Sequence, residues 1–282
     1  MHLEFTKMHG LGNDFIVLDA PARDGLSLST AQWRQLADRH RGIGFDQALV
    51  LEPPRRADAA VYYRIYNANG GEVEQCGNGV RCLAELLRLR GIARNGQVQL
   101  ESPAGLMHAQ LGAPGMVAVD MGEPLFTPAA VAFDAQGEAG PCYTVELPGQ
   151  PLSFAIASLG NPHAVLDVAS VAAAPVATWG PLLESHPRFA RRVNVGFREI
   201  VNRGHVRLRV FERGVGETQA CGTGACAAAA TGIRDGRLDT RVQVDLPGGT
   251  LIIRWDGAGH HLWMEGPAEV SFTGQFDLAG SP

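Results

Sequence analysis

Four short motifs in the first half of this chain recur, in the same order, in the second half. Leu11-Gly12-Asn13 opens the apolar run Phe15-Ile16-Val17-Leu18-Asp19, and Leu159-Gly160-Asn161 opens Ala164-Val165-Leu166-Asp167. Gln75-Cys76-Gly77-Asn78-Gly79 is answered by Ala220-Cys221-Gly222-Thr223-Gly224. Ser102-Pro103-Ala104-Gly105 is answered by Leu246-Pro247-Gly248-Gly249, and Met121-Gly122-Glu123-Pro124 by Met264-Glu265-Gly266-Pro267. Unrelated Gly-rich turns have no reason to keep both order and spacing, so a duplicated domain is the economical reading. At 282 residues the chain has room for two moderate cores, one per repeat.

Within each repeat the periodicity alternates between strand and helix. Val61, Tyr63 and Ile65 alternate with Tyr62, Arg64 and Tyr66, and Val206, Leu208 and Val210 with Arg207 and Arg209, the period of a strand. After Cys76, Val80, Leu83, Leu86 and Leu87 share a helical stripe over Val80 to Arg90, and Gly91 is placed to stop it. Cys221-Gly222-Thr223-Gly224 likewise opens the helix-prone run Ala225 to Ile233. Each repeat reads as strand, polar loop, cysteine, glycine, helix. The Ala-rich stretch Val168 to Thr178 fits a helix or a loop equally well.

Composition narrows the function class. The chain is 45% hydrophobic and 19% charged, with 24 basic against 29 acidic residues and a formal net charge of −5. No Lys/Arg run stands out, so neither nucleic acid nor an anionic membrane is an expected partner. No apolar stretch approaches the about 18 residues of a membrane helix. Met1-His2-Leu3-Glu4-Phe5 lacks the pattern of a secretory leader, and a cytoplasmic protein is expected. The five cysteines, Cys76, Cys82, Cys142, Cys221 and Cys226, are expected to be free thiols. Neither the C-x5-C nor the C-x4-C pair has the partners of a zinc site, and no metal is expected.

A cysteine at the mouth of a Gly-rich turn entering a helix lies beside free backbone N–H groups and the positive end of the helix dipole. That setting is expected to lower the thiol pKa. The same N–H groups can hold a carboxylate, and glycine lets the ligand come close. Two such sites, one per repeat, suit inversion at a carbon, where one group removes a proton and another returns one on the opposite face. Two buried helix-cap cysteines without chemistry would fit the same spacing. Asn67 and Glu212 continue the inward strand phases at their ends, where a buried amide and a buried acid need partners. For Glu212, a salt bridge with Arg213 is the plainer explanation.

Several further motifs carry a family resemblance. They are Lys7-Met8-His9-Gly10-Leu11-Gly12-Asn13-Asp14-Phe15, Arg41-Gly42-Ile43-Gly44-Phe45-Asp46-Gln47, Asn67-Ala68-Asn69-Gly70, Gln75 to Cys82, Gly160-Asn161-Pro162-His163 and Arg192-Val193-Asn194. The most specific runs from Phe211 to Gly224, Phe-Glu-Arg-Gly-Val-Gly-Glu-Thr-Gln-Ala-Cys-Gly-Thr-Gly. From Lys7 to about Glu265 the chain resembles the diaminopimelate epimerases.

The resemblance implies an α/β (α+β) fold of two pseudo-symmetric domains, each a barrel-like sheet around a central helix, with the active site in the cleft between them. The domains would be 1–121 plus 266–282, and 122–265, the chain end crossing back to the first. Cys76 and Cys221 match the paired acid/base cysteines. Gly77 with Asn78, and Gly222 with Thr223, match the amide nests for the α-carboxylate. His163 and Glu212 match residues that tune the thiols, although a histidine in such a position is often simply a core residue. Asn13, Gln47, Asn67, Asn161, Asn194, Glu212 and Arg213 match the substrate-binding set, with Arg213 the natural partner of a distal carboxylate. A homodimer is implied, with Phe272 where the family carries a dimer-contact tyrosine.

The implied reaction is interconversion of LL- and meso-diaminopimelate, for lysine and peptidoglycan precursors, without a cofactor. Consistent with that, no lysine lies in the motifs after Lys7 to hold pyridoxal phosphate, and no glycine-rich nucleotide fingerprint follows a strand. Three rivals share the scaffold. A proline or hydroxyproline racemase also pairs cysteines, but its substrate has one carboxylate. A non-catalytic amino acid binder needs no thiols. A phenazine-type isomerase lacks the cysteine pair.

Overall fold

The repeat in the sequence becomes a repeat of pairings. The structure, a computed structural model, describes residues 2–20, 26–73, 77–93 and 95–278. The first half holds β1 (His2–Gly10), β2 (Asn13–Asp19), α1 (Thr30–Ala37), β3 (Gln47–Glu52), β4 (Val61–Asn67), β5 (Glu72–Val73), α2 (Gly77–Leu89), β6 (Gln97–Ser102), β7 (Gly105–Leu111) and β8 (Met116–Asp120). The second holds β9 (Cys142–Leu147), β10 (Gln150–Ser158), β11 (Pro162–Asp167), α3 (Val176–Glu184), β12 (Asn194–Asn202), β13 (His205–Glu212), β14 (Gly216–Thr218), α4 (Gly222–Arg234), β15 (Arg241–Leu246), β16 (Gly249–Arg254) and β17 (Trp263–Pro267). A last strand, β18 (Glu269–Asp277), follows.

The chain forms two compact units, Met1–Val119 with Gly266–Pro282, and Asp120–Glu265. In the first, pairing runs β18–β1–β2–β3–β4–β6–β7–β8, with β5 added to β4. In the second it runs β9–β10–β11–β12–β13–β15–β16–β17, with β14 added to β13. β2/β3 and β4/β6 are parallel, as are their counterparts β11/β12 and β13/β15. Parallel neighbours need a crossover. Each of these crossovers carries a helix, α1 and α2 in the first unit and α3 and α4 in the second. The matching Ser102–Gly105 and Leu246–Gly249 motifs are the equivalent β6–β7 and β15–β16 turns.

Two helices in each unit play different parts. α2 is buried from Gly77 through Leu87, and α4 is buried at every residue from Gly224 to Gly232. A helix with no solvent face has sheet on all sides, so each unit wraps its strands around one helix, as expected. Glycine makes that wrapping possible. A Cβ on Gly79 would stand 3.1 Å from Leu49 Cδ2, and one on Gly224 3.0 Å from Val210 Cγ2. α1 and α3 cover the other face, Trp33 and Leu36 packing on Ile16, Leu18 and Val50, and Val176 and Leu183 on Leu166, Val195 and Phe197.

The ambiguous stretch Val168 to Thr178 divides at Pro175, loop before it and α3 from Val176. Both central helices begin three residues earlier than their apolar stripes, at Gly77 and Gly222. Gly91 takes a left-handed φ of 70° and ends α2 as expected. Among the described residues no helix is long and apolar enough to cross a membrane.

Candidate functional site

The motif residues of each unit gather at the rim where α2 or α4 begins. In the first unit Asn13 starts β2, Gln47 starts β3 and Asn67 ends β4, and the register sets Gln47 beside both Phe15 and Asn67. Gln47 Nε2 donates to Asn67 Oδ1 at 2.9 Å. Asn78, in the first turn of α2, donates from Nδ2 to Asn13 Oδ1 at 3.1 Å. These two bonded pairs, with Gly77 next to Asn78 in the first turn of α2, make up a candidate half-site. Cys76, and Gln75 before it, lie outside the described residues.

Behind Asn13 stands a charged network that the sequence reading did not single out. Asn13 Nδ2 donates to Asp46 Oδ2 at 3.0 Å, and Arg39 bridges Asp14 and Asp46, each contact at 2.8 Å. Lys7 Nζ adds a contact to Asp14 at 2.6 Å. Burial would raise the Asp14 pKa, but Arg39 and Lys7 outweigh it and hold the carboxyl well below the usual range. The Gly-Asn-Asp and Gly-Phe-Asp motifs contained both acids. Arg39 lay outside every motif, so the link between them was not visible.

The second unit builds its half-site from equivalent positions. His163 is the second residue of β11, Asn194 starts β12, Glu212 ends β13, and Cys221 is the N-cap of α4. His163 Nε2 meets Asn161 Oδ1 at 3.0 Å, Asn161 Nδ2 donates to Thr223 Oγ1 at 3.1 Å, and Thr223 Oγ1 lies 3.7 Å from Cys221 Sγ. A continuous polar chain thus joins the histidine to the thiol. Asn194 donates to Pro162 O at 3.0 Å and accepts from the Arg213 amide at 2.9 Å. The Arg213 guanidinium donates to Arg191 O at 3.1 Å, while the Glu212 carboxylate accepts from the Thr218 hydroxyl. Thr218 was not anticipated as a partner, although it sits inside the most specific motif. Gly222 and Thr223 present first-turn N–H groups that have no partner within the helix.

Electrostatics here correct one expectation. Cys221 was expected to have a lowered pKa at the helix mouth. Instead burial pushes the thiol well up, and the nearby Glu212 carboxylate pushes it further, while the Thr223 hydroxyl and the Gly224 amide oppose this only weakly. The motif identifies a helix end but not the desolvation around it, and Cys221 is only 5% exposed. At rest this sulfur is a protonated thiol. His163, 1% exposed, has its pKa lowered to about 3 by burial and by Arg213, so its imidazole is neutral. Cys82 and Cys226 are buried within the central helices and Cys142 is exposed on β9. Among the described residues no group of three or more His, Cys, Asp or Glu side chains is placed to hold a metal ion.

The model of the diaminopimelate epimerase family matches residues 5–127 and 155–271. A diaminopimelate epimerase of Stutzerimonas stutzeri is 50% identical over 99% of this chain and 100% of its own length. One from Chromobacterium violaceum is 51% identical with the same coverage. Among solved structures, a hydroxyproline epimerase from Agrobacterium vitis superposes with a TM-score of 0.69 at 18% identity, covering 97% of this chain and 92% of its own. A phenazine biosynthesis protein from Bacillus anthracis gives a TM-score of 0.66 at 14% identity, covering 99% and 100%. At those identities the two structures speak for the fold, whereas the two curated relatives and the family model speak for descent. The chain belongs to the diaminopimelate epimerase family of isomerases.

Proposed function

We propose that this enzyme interconverts LL- and meso-diaminopimelate by proton transfer between two cysteines, Cys76 and Cys221, and so serves lysine and peptidoglycan precursor synthesis. The observation that carries the reading is the placement of Cys221. Its sulfur is buried at the mouth of α4, protonated at rest, and joined to His163 through Thr223 and Asn161. The duplicated Cys-Gly-x-Gly supplies the counterpart, Cys76, before α2.

An amino acid α-proton is a very weak acid, so the charge that develops on its removal needs electrostatic stabilisation. In this reading Gly77 with Asn78, and Gly222 with Thr223, hold the α-carboxylate on first-turn amides, where the excess negative charge is spread. A thiolate on one cysteine takes the α-proton, breaking the C–H bond and leaving its electron pair on the carbon and carboxylate. The thiol on the other cysteine then gives its proton to the opposite face. One sulfur ends as thiol and the other as thiolate, ready for the reverse reaction. Asn13, Gln47, Asn67, Asn161 and Asn194 bind the polar atoms of the substrate, Glu212 lies at the reacting centre, and Arg213 pairs with the distal carboxylate. No step calls on a cofactor. The protein is taken to be a cytoplasmic homodimer, with Phe272, 51% exposed on β18, in the dimer contact. The test is an assay of the purified chain with LL-diaminopimelate. Failure of the meso isomer to appear would sink the reading.

A further inference from the structure

Arg213 is held by a frame that begins on a different element, the last residue of α3. Glu184 is a carboxylate at a helix C-terminus, where the dipole disfavours it, and it is only 4% exposed. Such a position calls for specific partners. Its Oε1 accepts from the Gly214 amide at 2.9 Å and from Arg192 Nη1 at 3.2 Å. Its backbone carbonyl accepts from Val193 N at 3.1 Å.

These contacts grip two separate turns. One runs through Arg191, Arg192 and Val193, where Arg192 takes a φ of 57°, a left-handed conformation that a non-glycine residue adopts only under constraint. The other is the turn closed by Val215 N on Glu212 O at 3.1 Å, with Gly214 at a φ of 73° in its third position. Arg213 hangs between them, its amide on Asn194 Oδ1 and its guanidinium on Arg191 O. α3 comes near enough to do this because Gly180 faces Phe211 of β13, where a Cβ would stand 2.7 Å from Phe211 Cγ.

We infer that Glu184 is a positioning residue that fixes the direction of the Arg213 guanidinium and through it the preference for a substrate with a second carboxylate. This rests on the reading of Arg213 as partner of the distal carboxylate. Glu184 itself touches no substrate. Its loss frees the Gly214 amide and releases Arg192 from its strained conformation, so both fixed points of Arg213 loosen together.

The experiment compares kcat and KM for LL-diaminopimelate in E184A, E184Q, R213A and E184A/R213A, with Tm measured for each. R213A should raise KM on the order of tenfold or more, the loss of a charged hydrogen bond. E184A should raise KM about fivefold with a smaller change in kcat. E184Q, which still offers an oxygen to Gly214 N–H, should fall between wild type and E184A. In the R213A background the E184A change should add less than about twofold, because the residue it positions is gone. A lowered Tm with unchanged KM in E184A, or full additivity in the double variant, would overturn the inference. Unchanged KM in R213A would instead remove the reading of Arg213 on which it rests. If E184A does not fold, E184Q alone and combined with R213A carries the same comparison.

Discussion

Asn161 donates its side-chain amide to the Thr223 hydroxyl across 3.1 Å, tying the loop before β11 to the first turn of α4. The repeat preserves this bond with its direction reversed. In the first unit the helix residue Asn78 is the donor and Asn13, the first residue of β2, the acceptor, also at 3.1 Å. The helix mouth is fastened in both units, and in the second Thr223 also sets its hydroxyl 3.7 Å from the Cys221 sulfur. Because that hydroxyl lowers the Cys221 pKa, its removal should leave the sulfur still harder to deprotonate. T223V should alkylate more slowly at Cys221 at a fixed pH and lose about fivefold in kcat/KM, the worth of one hydrogen bond. T223S should restore both. Equal alkylation rates in T223V and wild type would refute a role for the hydroxyl.

Each face of the α-carbon needs its own proton carrier, so C76A and C221A should each abolish epimerisation while substrate affinity changes far less. C82A and C226A should keep activity and lose stability, since both sulfurs are packed within the central helices. Deuterium oxide separates two cysteines from one. Early meso product formed from the LL isomer should carry deuterium at the inverted carbon, and recovered LL substrate should not. Mostly unlabelled early product would mean that a single base returns the proton it removed.

The thiol of Cys221 is raised first by burial and next by Glu212. E212Q removes the second effect and leaves the first, so the Cys221 pKa should fall. In a C76A background the pH profile of Cys221 alkylation should lie above that of free cysteine, and E212Q should move it to lower pH. A profile that stays in place would show that the carboxylate does not act on the sulfur.

His163 keeps its neutral form in the folded protein down to about pH 3, against an ordinary value of 6.5. Below 6.5 the unfolded chain therefore binds a proton that the folded chain refuses, and stability falls as the pH drops from 6.5 toward 3. H163Q should flatten that fall by up to about 1.4 kcal/mol per pH unit. Urea unfolding of both proteins at several pH values in this window decides it. Parallel slopes would mean that the imidazole is not buried neutral.

The place of the candidate site was more legible in the sequence than its energetics. Motif order led to the two rims where α2 and α4 begin, because Asn13 and Gln47 start strands there and Asn161 directly precedes one. The helix starts were misplaced at Val80 and Ala225 because glycine disfavours helix. Gly79 and Gly224 are nonetheless required there by the closeness of Leu49 and Val210, a tertiary fact. The direction of the Cys221 shift was missed for a similar reason, since burial is set by strands distant in sequence. Glu184 was invisible because its partners, Arg192 and Gly214, lie in turns beside β12 and β13 that only the tertiary fold brings to the end of α3.

β18 takes in the first unit the place that β9 takes in the second, beside β1 and β10 respectively. On the ribosome that difference reverses the order of completion. Every strand of Asp120–Glu265 has been synthesised before β18 emerges, so the later unit is the first to have all its parts. The earlier unit waits with one edge of β1 unpaired, an open template for another chain. Nascent chains arrested between β17 and β18 should therefore resist protease across the second unit while the first is cut, and a molecule that loses its last strand loses the stability of its beginning.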